Sequence, residues 1–300
     1  MSDSNKDGIY CDVLWLVALA AIWGSSFAAI KIAVTTMPPM TMVAVRTLIA
    51  VAILCPIMVL SRSRIPTDKK SWQIGMVLGV FGIALPFFLI SWGELRVQSG
   101  LAAILMAVMP LTTIILAHFF NKGDRFTYTR LVGVIIGFCG IIVLVGPEAL
   151  KGFGGAVFSQ LAIAVAAVCY AINAVLTRNL PNGGQLGSMI GRAFMVMICG
   201  AAITIPLALI MDGPTAYLQA DADGWLATIY LGILPTGLAT LIYFHLVEVR
   251  GASFFSFVNY LNPVFGVFWG ALLLSEQVSL QAIAALLLIL SGIAVANLKR

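Results

Sequence analysis

Residues 72–79 read WQIGMVLG and residues 225–232 read WLATIYLG, so a tryptophan and a leucine–glycine pair recur at an offset of 153 residues. Further along the chain, Pro110 and Pro263 keep the same offset without a gap. Self-similarity at one fixed offset is the sequence signature of an internal duplication. The pattern therefore predicts a chain built from two related halves, residues 1–149 and residues 150–300.

Charged residues extend this repeat. Arg46 lies near the start of the second apolar run of the chain, and Arg192 lies near the start of the seventh. Asp124 precedes the fifth run, and Glu276 precedes the tenth. Each half is therefore predicted to contain five apolar runs with charged residues at corresponding places.

The composition indicates an integral membrane protein. Hydrophobic residues make up 61 % of the 300 residues and charged residues only 10 %, whereas soluble domains carry roughly 25 % charge. Each apolar run is near the length of about 20 residues that a helix needs to cross a bilayer. The fold class predicted is an all-α integral membrane protein with ten transmembrane helices, at about 13–33, 40–60, 72–92, 98–120, 129–146, 156–177, 187–210, 225–246, 253–274 and 279–298.

The basic residues predict the orientation, because cytoplasmic loops of membrane proteins are enriched in lysine and arginine. With the N-terminus inside, the inner loops hold twelve of them and the outer loops only Lys31, Arg96 and Lys151. Both termini are then cytoplasmic, in a multi-pass membrane protein. Because five is an odd number, the two halves enter the membrane from opposite sides and form inverted repeats. Transporters use this arrangement to build a binding site near the bilayer midplane.

Other classes of function are disfavoured by residue content. The net charge of +5 is scattered along the chain, so nucleic acid is not an expected partner; the expected partners are a small-molecule substrate and the lipid bilayer. The five cysteines are isolated from one another and from the two histidines, so neither a metal site nor a cofactor is predicted. An intramembrane lipid-modifying enzyme would need clustered nucleophile, base and metal ligands. A sensor or scaffold subunit would usually add a soluble module.

Polar and aromatic side chains within the runs mark candidate contacts with substrate. A buried amide or hydroxyl must face another helix or a watered cavity, because leaving it unpaired costs roughly 2–7 kcal/mol. Interhelical hydrogen bonding and ordinary core packing are the alternatives for each of these residues. The candidates identified in this way are Trp23, Phe27, Phe87, Phe88, Trp92, Tyr170, Asn173, Thr240, Tyr243, Asn259, Tyr260 and Asn262.

Prolines and arginines within the runs are candidates for hinges or gates. A proline inside a helix removes one backbone hydrogen bond and tends to kink the helix, so Pro86, Pro110, Pro235 and Pro263 are the candidate hinges. Static kinks that serve only packing are the alternative. Arg46 and Arg192 are the charges well inside a run, and we interpret them as gating or anchoring residues in preference to direct ligands of a carboxylate.

The glycines of the fifth run suggest close helix contact, either within the chain or in a weak homodimer.

No aspartate or glutamate lies near the middle of a predicted span, so no ion-coupling carboxylate is visible in the sequence. The prediction is therefore a facilitator, or coupling through residues that the sequence does not identify. The cargo favoured by the π-rich candidates is a small amphipathic metabolite, with hydrophobic or aromatic amino acids first and drugs or nucleoside-like metabolites as the alternative. Alternating access between the two halves is the expected mechanism.

Several motifs resemble the drug/metabolite transporter superfamily in its EamA branch. They are Trp23-Gly24-Ser25-Ser26-Phe27, Arg46, the run from Leu85-Pro86-Phe87-Phe88 to Ser91-Trp92, Ser99 to Leu105, and the stretch from Asn262-Pro263-Val264 to Glu276. The resemblance implies a ten-helix metabolite exporter and adds Ser26 and Ser91 to the candidate site. Within the branch, exporters of aromatic amino acids of the YddG type are the most similar. Cys169-Tyr170-Ala171-Ile172-Asn173 departs from the Trp-centred signature that many members carry in this span.

Overall fold

A computed structural model describes residues 3–120, 127–145, 155–178 and 188–297, and in these ranges the secondary structure is helical, without a strand. Each of the ten predicted runs corresponds to helix. Asp124 and the boundary between residues 149 and 150 lie outside the described ranges. The helices are α1 (Asp3–Ala33), α2 (Pro39–Leu60), α3 (Lys69–Gly79), α4 (Leu85–Glu94), α5 (Ser99–Leu105), α6 (Val108–Phe120), α7 (Tyr128–Val145), α8 (Gly155–Arg178), α9 (Met189–Met211), α10 (Ala222–Leu231), α11 (Ala239–Phe255), α12 (Val258–Leu274) and α13 (Leu280–Ala296).

Within the described ranges, seven continuous helical stretches are long and apolar enough to cross a membrane, and three further apolar helices are shorter. The shorter ones are Tyr128–Leu144, Val258–Leu274 and Leu280–Ala296. Large apolar side chains such as Leu280, Leu287 and Ile142 are exposed on the outside of the bundle. An apolar outer surface of this kind is suited to a bilayer, where lipid replaces water as the solvent.

Two of the long stretches contain a π-helical segment in the middle. The segment π1 (Val80–Ala84) joins α3 to α4, and π2 (Gly232–Leu238) joins α10 to α11. The segment π1 begins directly after Gly79 of the first leucine–glycine pair, and π2 begins at Gly232 of the second pair. Single-turn π segments within α-helices occur frequently at functional sites.

The same two stretches also begin with equivalent caps. The Asp68 carboxylate accepts from the Ser71 backbone N–H at 2.8 Å, and the Asp221 carboxylate accepts from the Gly224 N–H at 2.8 Å. Hydrogen bonds from Ser71 lower the pKa of Asp68, and those from Gly224 and Thr36 lower the pKa of Asp221. Both carboxylates therefore remain ionised at the positive N-termini of the helices that they cap.

The packing of the helices follows a reciprocal pattern. Two pairs join corresponding helices of the two halves, α2 with α9 and α7 with α13, and α5 of the fourth predicted run packs on α12 of the ninth. The helix α1 packs on α12 as α8 packs on α6. In addition, α1 packs on α10 and α11, on either side of π2, whereas α8 packs mainly on α4, after π1. The helix α2 packs on π2, while α9 packs on α3 and π1.

The pair α7–α13 is held by close backbone approach at glycines. A Cβ atom added at Gly292 would lie 2.5 Å from the Gly137 backbone nitrogen, and one added at Gly140 would lie 2.7 Å from the Ile289 side chain. Small residues allow membrane helices to approach closely enough for dispersion contacts along their length. The glycines of α7 therefore serve packing inside the chain.

We expect Gly292→Val to lower the stability of the protein by about 1–3 kcal/mol, because the added methyl groups collide with backbone that cannot rotate away. The measurement is the thermal unfolding midpoint in detergent. The matched control is Ala294→Val, which adds bulk on the exposed side of the same helix and should leave the midpoint unchanged. Equal midpoints for the two variants would show that α7 and α13 do not pack through Gly292.

Candidate functional site

Arg46 lies at the centre of a buried polar network. Its side chain is 5 % exposed, and its Nε donates to the Thr236 Oγ1 at 2.7 Å. The guanidinium carbon stands 3.9 Å from the centroid of the Phe87 ring, within the range of a cation–π contact. Arg46 on α2 therefore joins the first turn of α4 to π2 in the interior of the bundle.

This network follows from the proline in π2. Pro235 has no N–H, so the carbonyl of Leu231, four residues earlier, loses its ordinary helical partner. The Thr236 hydroxyl donates to this carbonyl at 2.7 Å, and the Thr236 hydroxyl oxygen in turn accepts a hydrogen bond from Arg46. The candidate hinge Pro235 thus lies in a segment where the Thr236 hydroxyl binds the Leu231 carbonyl. Arg46 in turn holds this hydroxyl in place.

A second contact to π2 comes from α1. The Trp23 Nε1 donates to the Pro235 carbonyl at 3.1 Å. The ring of Trp23 lies 6.3 Å from that of Tyr243 and 6.0 Å from that of Phe255, the latter edge to face. Of the predicted aromatic candidates, Trp23 and Tyr243 thus belong to one cluster with Phe255.

The other aromatic candidates lie elsewhere. Phe27 and Phe87 are buried in the main core, and Tyr170 and Tyr260 pack against its edge. Phe88 packs on a separate small cluster with Met40, Ala44 and Ala208, and Trp92 is 36 % exposed. The structure does not bring the predicted aromatic residues together into a single ring around one cavity.

Two predicted amides are buried without a partner for their oxygen. The Oδ1 of Asn173 on α8 and the Oδ1 of Asn262 on α12 accept no hydrogen bond within the described part of the chain. Asn173 lies directly against π1, since a Cβ atom at Gly82 would be 3.0 Å from its carboxamide oxygen. An unsatisfied buried acceptor is costly, so these two amides are the predicted site residues best suited to receive a hydrogen bond from a ligand.

Most of the predicted hydroxyl groups are already occupied by backbone. Ser26 donates to the Trp23 carbonyl, Ser91 to the Phe87 carbonyl, and Thr240 to the Thr236 carbonyl. The Tyr260 hydroxyl instead accepts from the Asn297 side chain at 2.9 Å. Asn259, one residue earlier, is half-buried.

The helix breaks do not coincide with the remaining prolines. Met106 and Ala107 separate α5 from α6. Ser256 and Phe257 separate the C-terminal end of α11 from α12. Pro110 and Pro263 follow these breaks inside α6 and α12. Pro86 is the second residue of α4, directly after π1 and inside the continuous helical stretch Lys69–Glu94.

Charged residues close the two ends of the bundle. At the end marked by residues 61–68 and Arg250, here called the Arg250 end, the Arg250 side chain donates to the Asp12 carboxylate and His245 lies 3.5 Å from it. At the opposite end, marked by residues 95–98 and 275–279 and here called the Glu94 end, Glu276 accepts from the backbone N–H groups of Ser99 and Gly100.

Arg192 occupies a different environment from Arg46. It lies in the first turn of α9, is half-buried, and has Tyr243 as a titratable neighbour. The two arginines of the repeat therefore differ: Arg46 is locked in the core, whereas Arg192 lies near the Arg250 end beside the Trp23 cluster. Among the described residues no group of three metal-ligating side chains is found.

Sequence reasoning missed one buried acid. The third predicted span ends at residue 92, but α4 continues to Glu94, whose side chain is completely buried. Because Glu94 is charged and precedes the four-residue connection 95–98, the sequence predicts that it belongs to a loop. Only the packing of α1, α5 and α8 around the end of α4 encloses it.

A sequence model described as the EamA-like transporter family matches residues 12–146 and, a second time, residues 157–298. The chain belongs to the EamA-like transporter family. It is therefore a membrane transporter and not an enzyme.

Relatives of this transporter cover nearly its whole length. An uncharacterized transporter of Archaeoglobus fulgidus is 28 % identical, and the match covers 95 % of this chain and 99 % of that one. The uncharacterized transporter YoaV of Bacillus subtilis is 27 % identical, with 94 % of each chain covered. The uncharacterized inner membrane transporter YedA of Escherichia coli is 27 % identical, with 88 % and 83 % covered.

The fold of the transporter is also found in a solved structure. A protein of known crystal structure superposes with a TM-score of 0.63, covering 94 % of this chain and 95 % of that chain at 23 % sequence identity. This similarity supports the arrangement of the helices and carries no information on the substrate.

The Arg46–Thr236 hydrogen bond should be measurable by a double-mutant cycle. We expect Arg46→Met and Thr236→Val each to lower the unfolding midpoint, and the double variant to lower it by less than their sum. Hydrogen bonds to charged groups are worth about 1.5–3 kcal/mol. Arg46→Met combined with Thr113→Val is the control pair, because the Thr113 hydroxyl bonds the Met109 carbonyl of its own helix α6 and shares no partner with Arg46. The effects of this pair should add. Additive effects for Arg46 and Thr236 would show that the bond contributes nothing.

Proposed function

We propose that this transporter exports small amphipathic metabolites across the inner membrane, with hydrophobic or aromatic amino acids as the favoured cargo. The observation that carries the proposal is the pair of buried, unpartnered amide oxygens at Asn173 and Asn262. Apolar pockets with a few well-placed polar groups are typical of small-molecule sites. Amide oxygens are suited to the ammonium group of an amino acid, and Phe87 and Tyr170 add apolar surface.

The proposed architecture is a pair of inverted five-helix halves, residues 1–149 and 150–300, with ten membrane crossings. It is supported by the two separate family matches, the reciprocal helix packing and the equivalent caps at Asp68 and Asp221. The proposed orientation places both termini in the cytoplasm and the Glu94 end outside. The lysines and arginines of the loops support it, since the Glu94 end carries few of them.

Alternating access then requires that the two ends open in turn. The bonds of Arg250 to Asp12 and of Glu276 to Ser99 are the contacts that would break, because they join α1 to α11 and the α12–α13 connection to α5. The segments π1 and π2 lie between these ends, where irregular backbone is tolerated because protein surrounds it. They are the proposed hinges.

Cysteine labelling tests the proposed topology. In a background with the native cysteines replaced, Arg62→Cys and Arg178→Cys should both react only from the cytoplasmic side. Thr35→Cys and Tyr217→Cys, which report the other end, should react only from outside. An impermeant maleimide applied to whole cells and to everted vesicles gives the readout. Reaction of the first two positions from different sides would rule out the inverted arrangement.

Transport itself is tested by counterflow in proteoliposomes, using L-phenylalanine, L-tryptophan and L-leucine beside nucleosides and cationic drugs. We expect exchange of the hydrophobic amino acids. Asn173→Ala and Asn262→Ala should each raise the KM by about two- to tenfold, the loss expected for one hydrogen bond.

The control for this experiment is Ser291→Ala, because the Ser291 hydroxyl is exposed and bonds only the Leu288 carbonyl of its own helix. Its KM should equal that of the wild type. Exchange of nucleosides or drugs alone would redirect the substrate assignment, and unchanged KM values in both asparagine variants would remove these amides from the site.

A further inference from the structure

Glu94 is the most deeply buried acid among the residues that the structure describes. Its side chain is 0 % exposed, and neither carboxyl oxygen has a hydrogen-bond partner in the described ranges. It is the last residue of α4, where α1, α5 and α8 pack around it. An ionised carboxyl group that is buried without a partner is very costly in free energy, so the group requires either a proton or a partner that arrives from elsewhere.

The charged groups that face Glu94 do not supply that partner. The Lys31 ammonium of α1 donates to the backbone carbonyls of Glu94 and Val97 and forms no ion pair with the Glu94 carboxyl group in the described chain. Arg46 of α2 is committed to Thr236 and Phe87. Glu276, after α12, has like charge and caps α5.

The helix α8 faces Glu94 with polar but uncharged groups. A Cβ atom at the neighbouring Gly93 would lie 2.9 Å from the Ser159 carbonyl oxygen, so α8 packs closely at this level. The Ser159 Oγ and the Gln160 Oε1 are both buried and unpartnered within the described part of the protein. The titratable or charged residues of α8, Cys169, Tyr170 and Arg178, stand more than two turns further along the helix.

These groups adjoin a cavity at the Glu94 end. The cavity has a volume of about 350 Å³, and its polar lining includes Gln98, Gln160, Glu276 and Gln281. A space of this size holds several water molecules, since one occupies about 30 Å³ in the liquid. Gln160 lines the cavity, and its neighbour Ser159 on α8 lies against Gly93, the residue before Glu94.

We propose that Glu94 is a proton-binding site that couples export of the substrate to entry of a proton. Glu94 takes a proton from the outer side through the polar cavity and is neutral while it is enclosed. It releases the proton when the conformation that opens the Arg250 end exposes the α4–α8 contact to the inner side. The substrate is carried from the inner to the outer side in the other half of the transport cycle. This inference rests on the proposed transport function, and it replaces the facilitator that the sequence suggests.

The test uses the purified full chain in proteoliposomes with an acidic lumen and radiolabelled L-phenylalanine outside. For exchange of one proton per substrate, a gradient of one pH unit supports about tenfold accumulation. We expect the wild type to accumulate the amino acid, with matching alkalinisation of lumenal pyranine. Glu94→Gln should abolish both signals. Glu248→Gln is the matched control, an exposed acid on α11, and should retain both.

A second measurement does not depend on how the variant folds. Dicyclohexylcarbodiimide adds to a protonated carboxyl group in an apolar site and leaves an N-acylurea that mass spectrometry locates. Wild-type Glu94 should be modified, and the yield should fall as the pH is raised and the group ionises, whereas Glu248 should remain unmodified.

The outcomes separate the two proposals. Absence of counterflow in the wild type would refute amino-acid transport itself. Counterflow without accumulation driven by the pH gradient would refute proton coupling alone. Accumulation that survives in Glu94→Gln, or a carbodiimide yield at Glu94 that is independent of pH, would remove Glu94 from the role proposed here.

Discussion

Every backbone polar group inside the bilayer must find its partner within the protein, and this constraint governs the structure of the transporter. A straight helix meets it automatically. The chain departs from straight helix in π1 and π2 and at the prolines, and each departure frees a carbonyl. At Pro235 the freed Leu231 carbonyl is satisfied by Thr236, and Thr236 in turn by Arg46. The buried charge of Arg46 is tolerated because it donates to Thr236, and Thr236 donates to the Leu231 carbonyl that Pro235 leaves without an N–H partner.

The same constraint explains how the helices are joined. The α7–α13 pair has few polar side chains to connect it, so it depends on glycines that let the two backbones touch. The central helices instead use hydroxyls and ring N–H groups, for example the bond from Trp23 to Pro235. Dispersion forces thus hold the periphery, whereas directional bonds hold the centre. A transporter whose two ends open in turn needs central helices that stay joined by hydrogen bonds between specific groups.

The exceptions to the constraint indicate where function lies. Asn173, Asn262 and Glu94 each keep a buried oxygen without a partner in the described chain, although hydroxyls such as those of Ser26 and Ser91 are satisfied by their own helices. A protein gains nothing in stability from an unpaired buried acceptor. These three side chains, together with Ser159 and Gln160, are therefore the ones whose cost has to be recovered from a ligand, a proton or water.

The sequence by itself determined the class of protein and the order of its helices. Apolar runs of bilayer length leave no other solution, and the offset of 153 residues between Trp72 and Trp225 marks related stretches that both contain a π segment. It also identified Asn173 and Asn262 as polar groups at depth. Tertiary structure alone decided which polar groups are already paired and which acids are enclosed. Glu94 stands beside a short connection and becomes a core residue only because three other helices pack around the end of α4. Periodicity reports one helix at a time, whereas burial and pairing are set by residues far away in the chain.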